Sequence, residues 1–251
     1  MRQGASEMPS EPRRKRSRRN ASTTANHRTG RAPDAPPVEA CPTCGKPLNV
    51  CVCDRSAPQD TRLRIVVLQH PQEQDVTLGT ARLLPTNLKR AKVVVGLSWR
   101  SLNAALDDEV DPARWAVIFP RKGTAQGKGT RVVDKSGVVV PAKRIQGIIV
   151  LDGTWSQAKT LWWRNAWLLK LQRIVLEPRE ASIYGAMRRE PKREFVSTLE
   201  AVADTLVALG EPEAVRDHLR RVFRTMLQRV RDAAKPTASA SAPPERSPDE
   251  P

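Results

Sequence analysis

The chain has 251 residues, with 43 Lys plus Arg against 27 Asp plus Glu, a formal charge of +16, 4 Cys and only 3 His. That length fits one domain or a small pair. No stretch approaches the roughly 18 apolar residues that crossing a bilayer as a helix requires, so a basic surface of this strength points to nucleic acid before lipid. Residues 1–40 carry nine basic and four acidic side chains and residues 235–251 carry two and three, which leaves +12 on residues 41–234. The excess belongs to the body of the protein. With His27 in the amino-terminal tail, only His70 and His218 remain for acid/base work, and all four cysteines crowd between Cys41 and Cys53. Hydrolases built on Ser-His-Asp or Cys-His lose most of their plausibility on that count. The start, Met1 to Asn20, is polar and Arg-rich and cannot supply the apolar core of a secretory signal, so a cytoplasmic location is expected and a secreted disulfide scaffold is not.

Residues 1–40 mix Arg, Ser, Pro and Ala around Arg13, Arg14, Lys15, Arg16, Arg18 and Arg19. So few apolar groups cannot offset the entropy of ordering, and this stretch reads as a disordered basic arm, either a solubilising tail or an RNA contact. Residues 41–60 form a separate segment, in which Cys41, Cys44, Cys51 and Cys53 follow the pattern C-x2-C-x6-C-x-C. Four thiolates at that spacing suit tetrahedral zinc, and Gly45 after the second ligand permits the tight turn that aims backbone N–H groups at sulfur. Because protein fills all four positions, the metal should be structural; an iron–sulfur cluster is the alternative.

Residues 61–234 alternate apolar, β-branched runs (63–69, 92–97, 115–119, 144–151, 173–176) with helical patterns at 77–84, 155–170, 198–209 and Glu213–Ala233. This predicts an α/β fold with a mainly parallel sheet and flanking helices. Within it, residues 123–129 imitate a phosphate loop but have three residues between glycines and no Ser/Thr after Lys128, so they read as a flexible basic loop. Ser197 and Glu200 form a capping box before the third helix, which Gly210 closes, and Pro212 opens the last. There, Val215, Leu219, Val222, Phe223, Met226, Leu227 and Val230 make one buried stripe, and Arg216, Arg220 and Arg224 make a ridge expected to be solvated. Residues 235–251 are Pro/Ser/Ala-rich and predicted to be disordered.

The strongest functional signal is Asp152-Gly153-Thr154-Trp155, where a buried strand turns through Gly153 into a helix that Thr154 can cap. It places a carboxylate at the carboxyl end of a strand, where open α/β sheets bind ligands. Asp152 is either a functional carboxylate or a turn residue, and Trp155 either a stacking platform or core.

These residues resemble the DTW-domain proteins, tRNA-uridine aminocarboxypropyltransferases related to the SPOUT-type knotted RNA methyltransferases. Beyond Asp152, Thr154 and Trp155, the resemblance runs in order through the four cysteines, Gln69-His70-Pro71 with Glu73, Thr80, Phe119-Pro120, Ala158, Trp167, Ser182 with Tyr184, Arg189 with Pro191, and Ser197 to Ala201. It covers about residues 41–210. The chain departs from the family at Arg121, where Gly follows Phe-Pro in other members, and at Gln157, where Lys is common.

The resemblance implies S-adenosylmethionine as donor, transfer of its 3-amino-3-carboxypropyl group to N3 of an unpaired tRNA uridine, and release of methylthioadenosine. It implies catalytic roles for Asp152, Thr154 and Trp155, with Asp152 as base, and a donor pocket formed by Gln69, His70, Pro71, Glu73, Phe119, Pro120, Ser197, Thr198 and Glu200. Two rival readings remain at this point: a methyltransferase using the same donor, and a zinc-containing RNA-binding protein without catalysis.

Overall fold

The computed structural model describes residues 39–55, 57–74, 76–118, 129–177, 180–185 and 196–235. The basic arm, the carboxyl-terminal tail, Phe119-Pro120-Arg121, most of the 123–129 loop, and Arg189 with Pro191 lie outside them. Six strands form one sheet: β1 (Arg64–Gln69), β2 (Ala91–Val95), β3 (Trp115–Ile118), β4 (Arg131–Val133), β5 (Gly147–Asp152) and β6 (Gln172–Val175). Their order is β2-β1-β5-β3-β6-β4, and every pairing is parallel except the antiparallel edge strand β4 on β6. The expected α/β class with a mainly parallel sheet is what the chain adopts.

The central strands read as continuous apolar runs because both faces of the sheet are covered. Ile65, Val67, Ala116, Ile118, Ile148 and Val150 point to one face. There they meet α1 (Leu83–Asn87), α4 (Thr198–Ala208) and α5 (Glu213–Ala233). The alternate residues Val66, Leu68, Trp115, Val117 and Ile149 meet α2 (Leu102–Leu106), α3 (Trp155–Arg164) and the single-turn segment Ala166–Lys170. Gly147 at the start of β5 is required by Trp115, since a Cβ there would lie 2.5 Å from the indole ring.

Three expectations about local structure need correction, and two further elements were not expected at all. The helix expected over 155–170 ends at Arg164, because the buried Asn165 takes over backbone hydrogen bonding. Its Nδ2 donates to the carbonyls of Leu161 (2.7 Å) and Leu97 (3.0 Å), and its Oδ1 accepts from Trp99 N–H (2.8 Å). The helix expected over 77–84 starts only at Leu83; residues 77–80 stay irregular, and the carbonyls of Thr77 and Gly79 point at Lys46 instead. Two elements escaped the periodicity altogether, the five-residue α2 and the three-residue edge strand β4. Finally, Arg220 is not part of a solvated ridge. It is buried, 2.6 Å from Glu180 and 3.9 Å from Asp204, whose carboxyl burial pushes above the usual range against the pull of Arg220. Among the described residues, no helix is long and apolar enough to cross a membrane.

Candidate active site and metal centre

The carboxyl ends of β1 and β5 lie side by side, with Gln69 the register partner of Asp152. Asp152 is buried, 7% exposed, and its side chain caps no helix. Its Oδ2 accepts from Gln69 Nε2 (2.9 Å) and its Oδ1 from Thr198 Oγ1 (2.5 Å). A carboxylate has about four lone-pair positions, so two fixed donors orient it and still leave acceptor capacity.

After Asp152 the chain turns through Gly153, where a Cβ would lie 2.8 Å from that of Gln157. Thr154 is the N-cap of α3, and its capping box is completed by Gln157: the Thr154 hydroxyl accepts from Gln157 N–H (3.4 Å), and Gln157 Oε1 accepts from Thr154 N–H (2.5 Å). Gln157 Nε2 also donates to Gln72 Oε1 (3.2 Å), tying α3 to the turn after β1. The residue that departs from the family pattern thus has a structural task of its own. Trp155 is 42% exposed, and Lys159 Nζ lies 5.3 Å from its ring centroid, one turn along the helix. Two turns along from Trp155, Trp163 is 74% exposed.

In the turn after β1, His70 N–H donates to the Asp152 carbonyl (3.0 Å), and His70 Nδ1 accepts from Gln72 N–H (3.3 Å). Pro71 opens the single helical turn Pro71–Glu73 that follows. On the other side of Asp152, Ser197 and Glu200 complete the buried capping box of α4. Glu200 Oε2 accepts from Ser182 Oγ (2.8 Å) and Ser197 N–H (3.0 Å), and its Oε1 from Ile183 N–H (2.7 Å). Within this loop cluster Thr198 is the member whose side chain touches Asp152. Phe119 and Pro120 lie outside the described residues.

The four cysteine thiols converge, with all four Sγ atoms within 4.8 Å of one another, and Cys44 Sγ is 3.6 Å from Cys51 Sγ. A metal bound at about 2.3 Å by four sulfurs in a tetrahedron separates them by roughly 3.8 Å, so these residues could hold a metal ion. Gly45 adopts φ +70° and its N–H donates to the Cys41 carbonyl (2.8 Å), which closes the turn. Donation by Cys44 N–H brings the Cys41 thiol down to about 6, toward the thiolate that a metal requires, whereas burial raises Cys51 and Cys53.

Sequence reasoning missed Lys46. It is 5% exposed and donates from Nζ to the carbonyls of Thr77 (2.8 Å) and Gly79 (2.6 Å). Burial brings its ammonium down to about 8 despite the opposing pull of Cys44 and Asp152. The next residue along this loop, Thr80, accepts through Oγ1 from Leu199 N–H (3.2 Å), so the cysteine turn is linked through the 77–80 loop to the helix that holds Thr198. The only signal for Lys46 was its place between paired ligands, in Cys44-Gly45-Lys46-Pro47.

The profile of the DTW domain matches residues 38–231. The chain belongs to the DTW domain family. Three relatives share the name tRNA-uridine aminocarboxypropyltransferase 2. The Drosophila melanogaster protein is 29% identical over 192 residues, covering 74% of this chain and 72% of that protein. The Macaca fascicularis and Mus musculus proteins are 27% and 26% identical over 194 residues, covering 74% of this chain and 61% of each. This DTW chain therefore spans less than two thirds of its two mammalian relatives. No solved structure matches it.

Proposed function

We propose that this protein is a tRNA-uridine aminocarboxypropyltransferase. The reading rests on one observation above all: the Asp of the DTW turn is a buried carboxylate at the mouth of a parallel sheet, oriented by Gln69 and Thr198, in a chain whose relatives carry that enzyme name. S-adenosylmethionine supplies a sulfonium whose three attached carbons are all electrophilic. Asp152 accepts the N3 proton of the uridine as N3 bonds to the first methylene of the aminocarboxypropyl arm; the carbon–sulfur bond breaks and its electron pair leaves with methylthioadenosine. Gln69 and Thr198 hold the carboxylate in place during this step. Thr154 fixes the start of α3, and Trp155 offers an exposed face on which an unpaired base can stack. The turn His70-Pro71 with Glu73, the segment at Phe119-Pro120 and the start of α4 at Ser197-Thr198 with Glu200 frame the donor pocket; Ser197 and Glu200 contribute by fixing the backbone.

The cysteine cluster holds a structural zinc, supported by the all-thiol donor set and the convergence of the four sulfurs. Residues 1–40 act as a basic arm, 41–60 as the zinc segment, 61–234 as the DTW catalytic domain and 235–251 as a tail. Kinship with the SPOUT-type knotted enzymes is what the DTW resemblance implies. tRNA is the partner, held through phosphates on the basic surface, with affinity that falls as salt rises. The cytoplasm, where tRNA is abundant and thiols stay reduced, is the expected compartment.

The test is mass spectrometry of nucleosides and small products after incubating the protein with S-adenosylmethionine and unmodified tRNA. Aminocarboxypropyl-uridine together with methylthioadenosine is expected. A methylated base with S-adenosylhomocysteine would move the protein to the methyltransferases, and bound tRNA with no product would leave a zinc-containing RNA-binding protein. Chelation of the metal should abolish product formation, because the cysteine turn carries Lys46 and anchors the 77–80 loop; full activity in metal-free protein would remove the zinc from this reading.

A further inference from the structure

A cleft of about 170 Å³ opens between the cysteine turn and the end of β1, with Gln69, the hydrogen-bond partner of Asp152, in its wall. It is smaller than the roughly 300 Å³ at which pockets begin to enclose whole small molecules, so it fits one end of a ligand. Its polar lining is mixed: the cations of Lys46 and Arg82, the carboxylate of Glu73 and the side chain of Gln69.

Gln69 is the telling member. The Gln69 amide turns its NH2 toward Asp152 Oδ2, and this sends Oε1 the other way. That Oε1 is buried and meets no hydrogen-bond donor among the described residues, in a side chain only 2% exposed. A buried acceptor left without a donor is costly, and because Gln69 lines the cleft, a ligand entering there can bring that donor.

The cleft therefore asks for a ligand end that carries both an anion, to face Lys46 and Arg82, and an N–H donor, to fill Gln69 Oε1. A phosphodiester offers acceptors alone and would leave Gln69 unfilled. An α-ammonium carboxylate offers both groups on one carbon. We propose that this cleft binds the amino-acid end of the donor, with Arg82 and Lys46 facing the carboxylate and Gln69 Oε1 accepting from the ammonium. The inference rests on the transferase reading and adds to it a physical reason for the choice of carbon. Holding the far end of the three-carbon arm at Gln69, which bonds Asp152, brings the arm's own methylene, rather than the methyl group, before the nucleophile.

Calorimetric titration of the metal-loaded full chain with S-adenosylmethionine, S-adenosylhomocysteine, methylthioadenosine and decarboxylated S-adenosylmethionine tests it without reference to turnover. Wild-type protein should bind the first two at least about tenfold more tightly than the last two, which lack the whole amino-acid end or its carboxylate. Arg82→Gln should weaken the first two by roughly tenfold to a hundredfold and leave methylthioadenosine unchanged, with Arg82→Lys in between. Metal content and melting temperature identify a variant that has lost its fold, and the ligand series on the wild type decides the matter even then. The subsite is overturned if the wild type binds all four ligands alike, if Arg82→Gln weakens methylthioadenosine equally, or if that variant loses tRNA affinity alone. Should the wild type bind none of the four, the donor assignment falls and the subsite falls with it.

Discussion

Asp152 stands between two helix starts that use the same local device in opposite surroundings. At α3, Thr154 and Gln157 form a capping box on the surface, with Thr154 and Trp155 exposed. At α4, Ser197 and Glu200 form one in the interior, with Ser197 4% and Glu200 1% exposed. Both satisfy orphan N–H groups in the same way, yet their wider roles diverge with burial. The buried box has no face left for a ligand: its carboxylate clamps Ser182 and Ile183 onto the start of α4, and the helix then delivers Thr198 to Asp152. The exposed box keeps its surroundings open and presents an aromatic ring. One signature in sequence thus serves rigid positioning at one helix and leaves an exposed aromatic ring at the other.

The largest expected effect lies at Asp152, the residue between the two boxes. Asp152→Asn should reduce product formation by about 10²- to 10⁴-fold while tRNA binding persists, as read by nucleoside mass spectrometry beside a filter-binding assay. Little loss of melting temperature should accompany it, because the Gln69 amide can turn over to accept from the new Asn. Glu200→Ala probes the buried box and should lower unfolding stability by roughly 3 kcal/mol or more in chemical denaturation, since three donors lose their acceptor. A loss confined to activity would show instead that Glu200 acts on substrate. Trp155→Ala probes the exposed side, with a cost of about 1–3 kcal/mol in tRNA affinity and no comparable change in stability. Thr154→Ala should show the smallest change, about 1 kcal/mol of stability, and if it matched Glu200→Ala the contrast between the two boxes would collapse.

Much of this was legible in advance because it depends on short-range chemistry. Apolar runs long enough to cross a sheet covered on both faces revealed five of the six strands, and the Ser197–Glu200 box and the extent of α5 followed from capping and periodicity. The exceptions were elements whose ends are set by distant partners. Asn165 stops α3 by bonding Leu97 and Trp99 across the fold, and Lys46 keeps 77–80 out of a helix by claiming two of its carbonyls. At the site, Asp152 stood out through its place at a strand end. Its two partners could be named only as motif members, since Gln69 and Thr198 lie 83 and 46 residues away and nothing local marks them as neighbours. Lys46 was marked only by its place between paired cysteines, and Arg82 carried no signal beyond its charge.

The pairing of Gln69 with Asp152 across β1 and β5 also bears on how such a protein can change over time. These two residues are aligned by strand register, and side chains along a strand alternate between faces, so a single inserted residue inside either strand would reverse every side chain beyond it. The intervening connections carry no such restriction, because loops absorb added length at little energetic expense. Relatives should therefore differ freely in overall size while β1 and β5 remain fixed in length, with divergence accumulating in the connections and termini.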